Sequence, residues 1–197
     1  MIIGLTGRSC SGKDKFASLL DDRFVVIDED HLGHVALEAN VGKLTEAFGS
    51  GILREDGTVD RKKLGPIVFA SPEKLETLNN ITHPWMVEET LRQCKAIEDE
   101  GKIAVINAAI LESMGFVQYC KEVVLVLSDY QNRLKRAMLR DGMTEEAFKK
   151  RSDAQKDIGS TLFSSGKKIV TILNNGDEDS LSRQVSSYCG TIRIKRA

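Results

Sequence analysis

The chain has almost no net charge. Lys and Arg number 28 against 29 Asp and Glu, a formal balance of −1. Such a balance gives no global pull toward nucleic acid or an anionic membrane surface. No apolar run approaches the length needed to span a bilayer, and the first residues enter a strand-like segment rather than a secretory leader. Cysteine is sparse: Cys10, Cys94, Cys120 and Cys189 lie far apart, without the spacing of metal ligands. They read as reduced thiols in a cytoplasmic protein. His31 and His34 have no metal-ligating companion and read as a solvated helix face. No internal repeat and no low-complexity tract is present. What remains, 41% apolar and 29% charged residues over 197 positions, suits one globular domain with room for an insertion. Expected partners are small molecules, with no nucleic acid and no membrane, on a monomer or weak homo-oligomer. The basic residues Arg193, Lys195 and Arg196 read as a solvated end.

Five short Ile- and Val-rich runs alternate with helical patterns, the signature of an α/β fold with a parallel sheet. The runs are 1–6, 23–27, 103–107, 122–127 and 168–173. Helices are expected over about 13–21, 84–100, 130–140 and 180–188. Two regions break the alternation. Residues from Glu38 to about His83 show no strand of their own and read as short helices around Gly49-Ser50-Gly51, Asp56-Gly57 and Pro72. Residues 140–166 are highly charged and read as helical from Thr144 to about Ile158, with Thr144 as N-cap and Glu145 and Glu146 in the first turn. The first region suits a substrate-binding insertion and the second a lid, although a solvated surface hairpin has the same composition. The expected organisation is a core of about 1–37, 101–139 and 167–197, a helical insertion of about 38–100 and a lid of about 140–166.

The strongest motif sits directly behind the first run. Gly7-Arg8-Ser9-Cys10-Ser11-Gly12-Lys13 matches G-x-x-x-x-G-K, a loop whose backbone N–H groups converge on phosphate oxygens while the next helix points its positive end at the same anion. Backbone from Ser9 through Ser11 and Gly12 to Lys13 is expected to hold a nucleotide triphosphate, with Lys13 bridging its outer phosphates. Phe16, Leu19 and Leu20 continue at helical spacing. A glycine turn that binds nothing is the bland alternative. The position after Lys13, usually Ser or Thr and a ligand of Mg²⁺, is Asp14, followed by Lys15. A carboxylate at a helix N-terminus is favourable by itself. Beside phosphates, however, it calls for a cation between, so Asp14 is a candidate Mg²⁺ ligand, directly or through water.

Beyond the loop, the chain resembles bacterial dephospho-CoA kinases, of the nucleoside-monophosphate-kinase group of P-loop proteins. Val26-Ile27-Asp28-Glu29-Asp30 matches a V-I-D-A-D segment, and Asp56-Gly57-Thr58-Val59-Asp60-Arg61 a D-G-x-L-D-R block. Leu78 to Pro84, Arg140-Asp141, Arg151, Gln155 and Asn174-Asn175-Gly176 follow in the family's order. The resemblance implies a P-loop three-layer αβα fold with a five-stranded parallel sheet, a helical CoA-binding insertion and a helical lid. It implies ATP-dependent phosphorylation of the ribose 3′-hydroxyl of dephospho-CoA, the final step of coenzyme A synthesis, with Mg²⁺ as cofactor. Another nucleotide or small-molecule kinase of this fold, or a non-catalytic nucleotide-binding protein, are the alternatives. The chain departs from the family at Arg8-Ser9-Cys10, usually Gly-Ile-Gly, at Asp14-Lys15, usually Ser-Thr, and at Ala108-Ala109, where a proline is usual.

Phosphoryl transfer needs positioning and charge neutralisation. Arg140 and Arg151 suit a lid closing over ATP, since planar guanidinium forks match phosphate. Asp30 lies just past the second strand, where ligands bind in open parallel sheets, and the resemblance makes it the catalytic acid that orients or accepts the proton of the substrate hydroxyl. Asp28 is a candidate for the metal's water shell, or an N-cap. Arg61 is a candidate for a substrate phosphate, or an exposed ion-pairing residue. His83 is a candidate substrate contact, or closes a helix start with Pro84 in its first turn. Lys15 and Asn175 complete the candidate nucleotide contacts.

Overall fold

The computed structural model describes residues 1–155 and 158–193. Residues 156–157 of the expected lid helix, which was to run to about Ile158, and 195–196 of the basic tail lie outside them. The chain divides into two compact units, residues 1–27 with 93–197, and residues 28–92.

The first unit is built on a five-stranded sheet. Its strands are β1 (Ile2–Thr6), β2 (Phe24–Asp28), β3 (Ile103–Asn107), β4 (Glu122–Leu127) and β5 (Lys168–Leu173), in the order β2-β3-β1-β4-β5. β1 pairs in parallel with β3 and β4, and β4 in parallel with β5. The central strands are mostly apolar, with polar residues only at their ends, because both faces are covered. One face packs α1 (Lys13–Ser18) and α8 (Glu178–Thr191): Phe16, Leu181, Val185 and Tyr188 join Ile3, Leu5, Val124, Val126 and Ile172 in one core. On β1, Gly4 leaves room for Leu111, since a Cβ there would stand 2.6 Å from Leu111 Cδ2. At the start of β4, Glu122 is buried and accepts from Tyr188 Oη–H at 2.8 Å and Lys168 Nζ–H at 2.7 Å.

Helices of this unit follow their caps. α1 stops at Ser18, short of the expected 21, because the Ser18 hydroxyl bonds back to the Lys15 carbonyl and Leu19 N–H closes on Phe16. α6 (Tyr130–Asp141) is capped by Asp129 and ends on Gly142 in the left-handed region. α7 (Glu145–Ala154) starts on Thr144, whose hydroxyl accepts from Ala147 N–H at 3.3 Å. The four cysteines are free thiols.

The second unit contains α2 (Glu29–Ala39), α3 (Val41–Phe48), α4 (Arg61–Phe69) and the start of α5 (Pro72–Asp99). Leu44, Ile52, Val59, Leu64 and Val68 form its core. The Asp56-Gly57 turn is held by Asp56, which accepts from Thr58 N–H and Oγ1–H, and Asp60 caps α4. The expected helix start at Pro84 is corrected: α5 begins at Pro72, with Ser71 accepting from Lys74 N–H. Pro84 lies inside the helix, where it removes one donor. Burial of Met86 and the packing of Leu78 and Ile81 carry the helix through it.

Candidate active site

The loop between β1 and α1 is shaped by its two glycines and by the residues beneath it. A Cβ on Gly7 would stand 2.5 Å from the Val126 carbonyl oxygen, and one on Gly12 would stand 2.0 Å from Asn174 Nδ2. Gly12 also has φ 97°, a region that side-chain-bearing residues avoid. Cys10 takes a left-handed φ of 62° without being glycine. The loop carbonyls are held from below: Asn174 Nδ2 donates to Ser11 O at 2.7 Å, and Arg136 Nη1 to Cys10 O at 3.2 Å. Arg136 Nη2 donates to Asn174 O at 2.8 Å, closing the bracket.

Lys13 is buried at the start of α1. Its ammonium donates to Asp14 Oδ1 at 2.8 Å and Asn107 Oδ1 at 2.7 Å, and Asn107 Nδ2 donates to Asp14 Oδ1 at 3.1 Å. Burial pulls the Asp14 carboxyl upward, but the hydrogen bond and charge of Lys13, with Asn107 and Arg140, outweigh it. The group sits below the usual carboxylate range and is ionised at neutral pH. The Asp14 side chain remains 68% exposed, so oxygen donors are open to a ligand.

Residues of the expected lid reach the loop. Arg140 Nη2 lies 3.8 Å from Cys10 Sγ while its fork pairs with Asp141, and Arg151 Nη1 donates to Ser9 Oγ at 3.4 Å. Gln155 Oε1 accepts from Ser9 N–H at 2.7 Å. Glu112 accepts from Gly159 N–H, Thr161 N–H and Thr161 Oγ1–H, tying the turn after α7 to the segment that follows β3.

Other expected residues have local partners. Lys15 pairs with Glu178 at 2.5 Å, and Asn175 Oδ1 accepts from Asp129 N–H at 2.9 Å. In the second unit, Asp28 Oδ1 caps α2 by accepting from Asp30 N–H and His31 N–H. Asp30 is exposed in the first turn of α2, and Arg61 is exposed at the first turn of α4. His83 is partly buried, and burial lowers its pKa, so the ring is neutral at pH 7. His31 and His34 are exposed.

Sequence reasoning passed over four contributors. Asn107 carried a signal, a polar residue ending a fully buried strand. Arg136 stands one helical turn before Arg140 on α6. Asn174 stands in the sequence only within the Asn174-Asn175-Gly176 match, and Glu29 only within Val26–Asp30, neither with a role of its own. Glu29 is 3% exposed and accepts from Thr90 Oγ1–H at 2.7 Å. Its desolvation, opposed by Thr90 and assisted by the charges of Asp28 and Asp30, raises its pKa to about 7.

Comparison with known proteins points to one family. Residues 1–178 match the family model of dephospho-CoA kinase. A dephospho-CoA kinase of Corynebacterium glutamicum is 34% identical over 195 residues, covering 96% of each chain. One of Fusobacterium nucleatum is 34% identical over 200 residues, covering 98% of each. The solved dephospho-CoA kinase of Campylobacter jejuni superposes with a TM-score of 0.66 at 26% identity, over 96% of this chain and 95% of that one.

Proposed function

The chain belongs to the dephospho-CoA kinase family, enzymes of the final step of coenzyme A synthesis, and we propose that Lys13, Asp30 and Arg140 carry that reaction here. ATP and dephospho-CoA become ADP and coenzyme A as the ribose 3′-oxygen bonds the γ-phosphorus and the bond to the β-γ bridging oxygen breaks. The observation that carries the reading is the convergence on one loop of Lys13 from below and of Arg140 and Arg151 from the following segment.

Backbone N–H groups of residues 9–13, with Cys10 and Ser11 in the turn, hold the ATP phosphates, Ser9 N–H after exchanging Gln155 Oε1 for a phosphate oxygen. Lys13 is fixed by Asn107 within reach of the outer ones. Arg140 and Arg151 exchange their present partners for phosphate oxygens, where planar forks gain most. Lys15, in α1, and Asn175, between β5 and α8, flank the nucleotide. Asp30, exposed and two residues past β2, orients the acceptor hydroxyl and takes its proton late. In a loose transition state orientation outweighs early deprotonation. Arg61 and His83 take part in holding dephospho-CoA, Arg61 as a cation and His83 as a neutral hydrogen-bonding ring. Arg61 is exposed and His83 only partly buried, which supports this assignment.

The donor set fits Mg²⁺. Asp14 is ionised and open, and its oxygens are the hard ligands this ion takes. Asp28 keeps one carboxylate oxygen beyond its capping bonds for a water of the ion's shell. Among the described residues no group of three His, Cys, Asp or Glu forms a self-sufficient metal cage. This suits an ion held largely by water and substrate phosphates. When bound, Mg²⁺ neutralises charge on the β- and γ-phosphates.

Substrate profiling tests the reading. ADP release is expected with dephospho-CoA as acceptor and absent with nucleoside monophosphates. Turnover with a monophosphate alone points to another kinase of the fold, and ATP binding without turnover to a non-catalytic protein.

A further inference from the structure

Behind the phosphate loop, on the side of β4, lies a cleft of about 330 Å³. Arg8, Ser11, Ser128, Arg133, Ser160 and Phe163 line it, whereas Lys13, Asp14 and Asn107 do not. Its floor holds polar groups that the protein leaves unsatisfied. Arg133 is 4% exposed, yet only Nη2 has a hydrogen-bond partner, the Ser152 hydroxyl at 3.1 Å. Its Nε and Nη1 have none, and neither does the buried Ser11 hydroxyl. The guanidinium carbon stands 5.6 Å from the centre of the Phe148 ring, which supports the cation from one side only.

A buried guanidinium with open donors favours an anion, because the ring and a single hydroxyl do not replace its lost hydration. No ion pair among the described residues supplies one to Arg133. The neighbouring carboxylate of Glu112 is used by Gly159 and Thr161. Burial first, then the like charge of Arg8, lowers the pKa of the Arg133 guanidinium. The second of these causes means that two arginines bring positive potential to one small cleft.

We propose that this cleft binds a phosphate-class oxyanion between Arg133 and Arg8, at a place separate from the nucleotide phosphates held by the loop. Ser11 joins the two places. Its backbone belongs to the loop and its hydroxyl to the cleft, so an anion here stiffens the loop from behind. The cleft is roomier than a lone phosphate requires, and the phosphate group of a larger metabolite fits the same donors.

The test is calorimetric titration of inorganic phosphate into the full chain saturated with a non-hydrolysable ATP analogue and Mg²⁺. Saturable one-site binding is expected with the loop already filled. It should weaken by roughly tenfold or more in Arg133→Met, which removes the fork. The same loss is expected in Ser160→Glu, an exposed rim change that adds a repelling carboxylate and keeps the test available should the buried variant not fold. A parallel titration with ribose 5-phosphate separates the sources: tighter binding than inorganic phosphate assigns the site to a phosphorylated metabolite, and equal or weaker binding assigns it to the free ion. No binding to the analogue-saturated protein, or binding unchanged in the variants, overturns the proposal.

Discussion

Asn174 Nδ2 donates to the Ser11 carbonyl at 2.7 Å directly beneath Gly12, whose missing Cβ makes room for it. The residue after the last strand thus sets the height of the loop proposed to receive phosphate. Asn174→Ala leaves that buried carbonyl with one partner fewer, a loss of about 1 kcal/mol. The KM for ATP should rise about fivefold with kcat nearly unchanged. Gly12→Ala should do worse, since its Cβ meets Nδ2 at 2.0 Å and its φ of 97° disfavours any side chain. Steady-state kinetics on both variants, with circular dichroism as the folding control, checks this.

Arg136 binds three parts of the site at once, donating to Cys10 O, Ser128 Oγ and Asn174 O. Lysine keeps the charge but not the fork. Arg136→Lys should cost on the order of 2 kcal/mol in stability, from hydrogen bonds made by a charged group. Denaturant midpoints of the two proteins measure it. An unchanged midpoint would remove Arg136 from the bracket under the loop.

Glu29 gives the second unit a pH dependence of definite sign. Its folded pKa of about 7 exceeds the ordinary 4.5, so the folded state holds a proton that the unfolded state has released. Stability from this group is full below about 4.5 and falls as pH rises toward about 7. The loss is at most about 3 kcal/mol. Glu29→Gln should flatten the stability profile across that window and melt above wild type at pH 8. A parallel pair of profiles would contradict the assignment.

The five strands were legible because their β-branched runs are too short for lone helices and the sheet needs them buried on both faces. The loop and its lysine were legible because phosphate binding fixes spacing within one local segment. Arg140 and Arg151 were singled out through the family's order of motifs. The bracket was not legible: Lys13 meets Asn107 across 94 positions, Arg136 meets Cys10 across 126 and Asn174 meets Ser11 across 163. Such contacts depend on strand order, which periodicity does not disclose. The start of α5 was misjudged for a different reason. Pro84 carries a start signal, but Ser71 and Pro72 carry the same signal earlier and core packing takes the helix through the second proline.

Lys13 should be indispensable for turnover. Lys13→Met removes the buried cation that Asn107 and Asp14 position. Loss of at least about 10²-fold in kcat is expected, comparable to deleting one preorganised stabilising group. Retained turnover would place transition-state stabilisation elsewhere.

Asp14 stands where a hydroxyl usually holds the metal, and it is ionised, exposed and fixed by Lys13 and Asn107. The most direct measurement is a Mg²⁺ titration of dephospho-CoA-dependent ADP release in wild type, Asp14→Ser and Asp14→Ala. The expected result is dephospho-CoA-dependent release in wild type, a Mg²⁺ midpoint near wild type in Asp14→Ser, and a midpoint raised by about tenfold or more in Asp14→Ala, the loss of one oxygen ligand. An Asp14→Ala protein with an unchanged Mg²⁺ midpoint would contradict a metal-holding role for this residue.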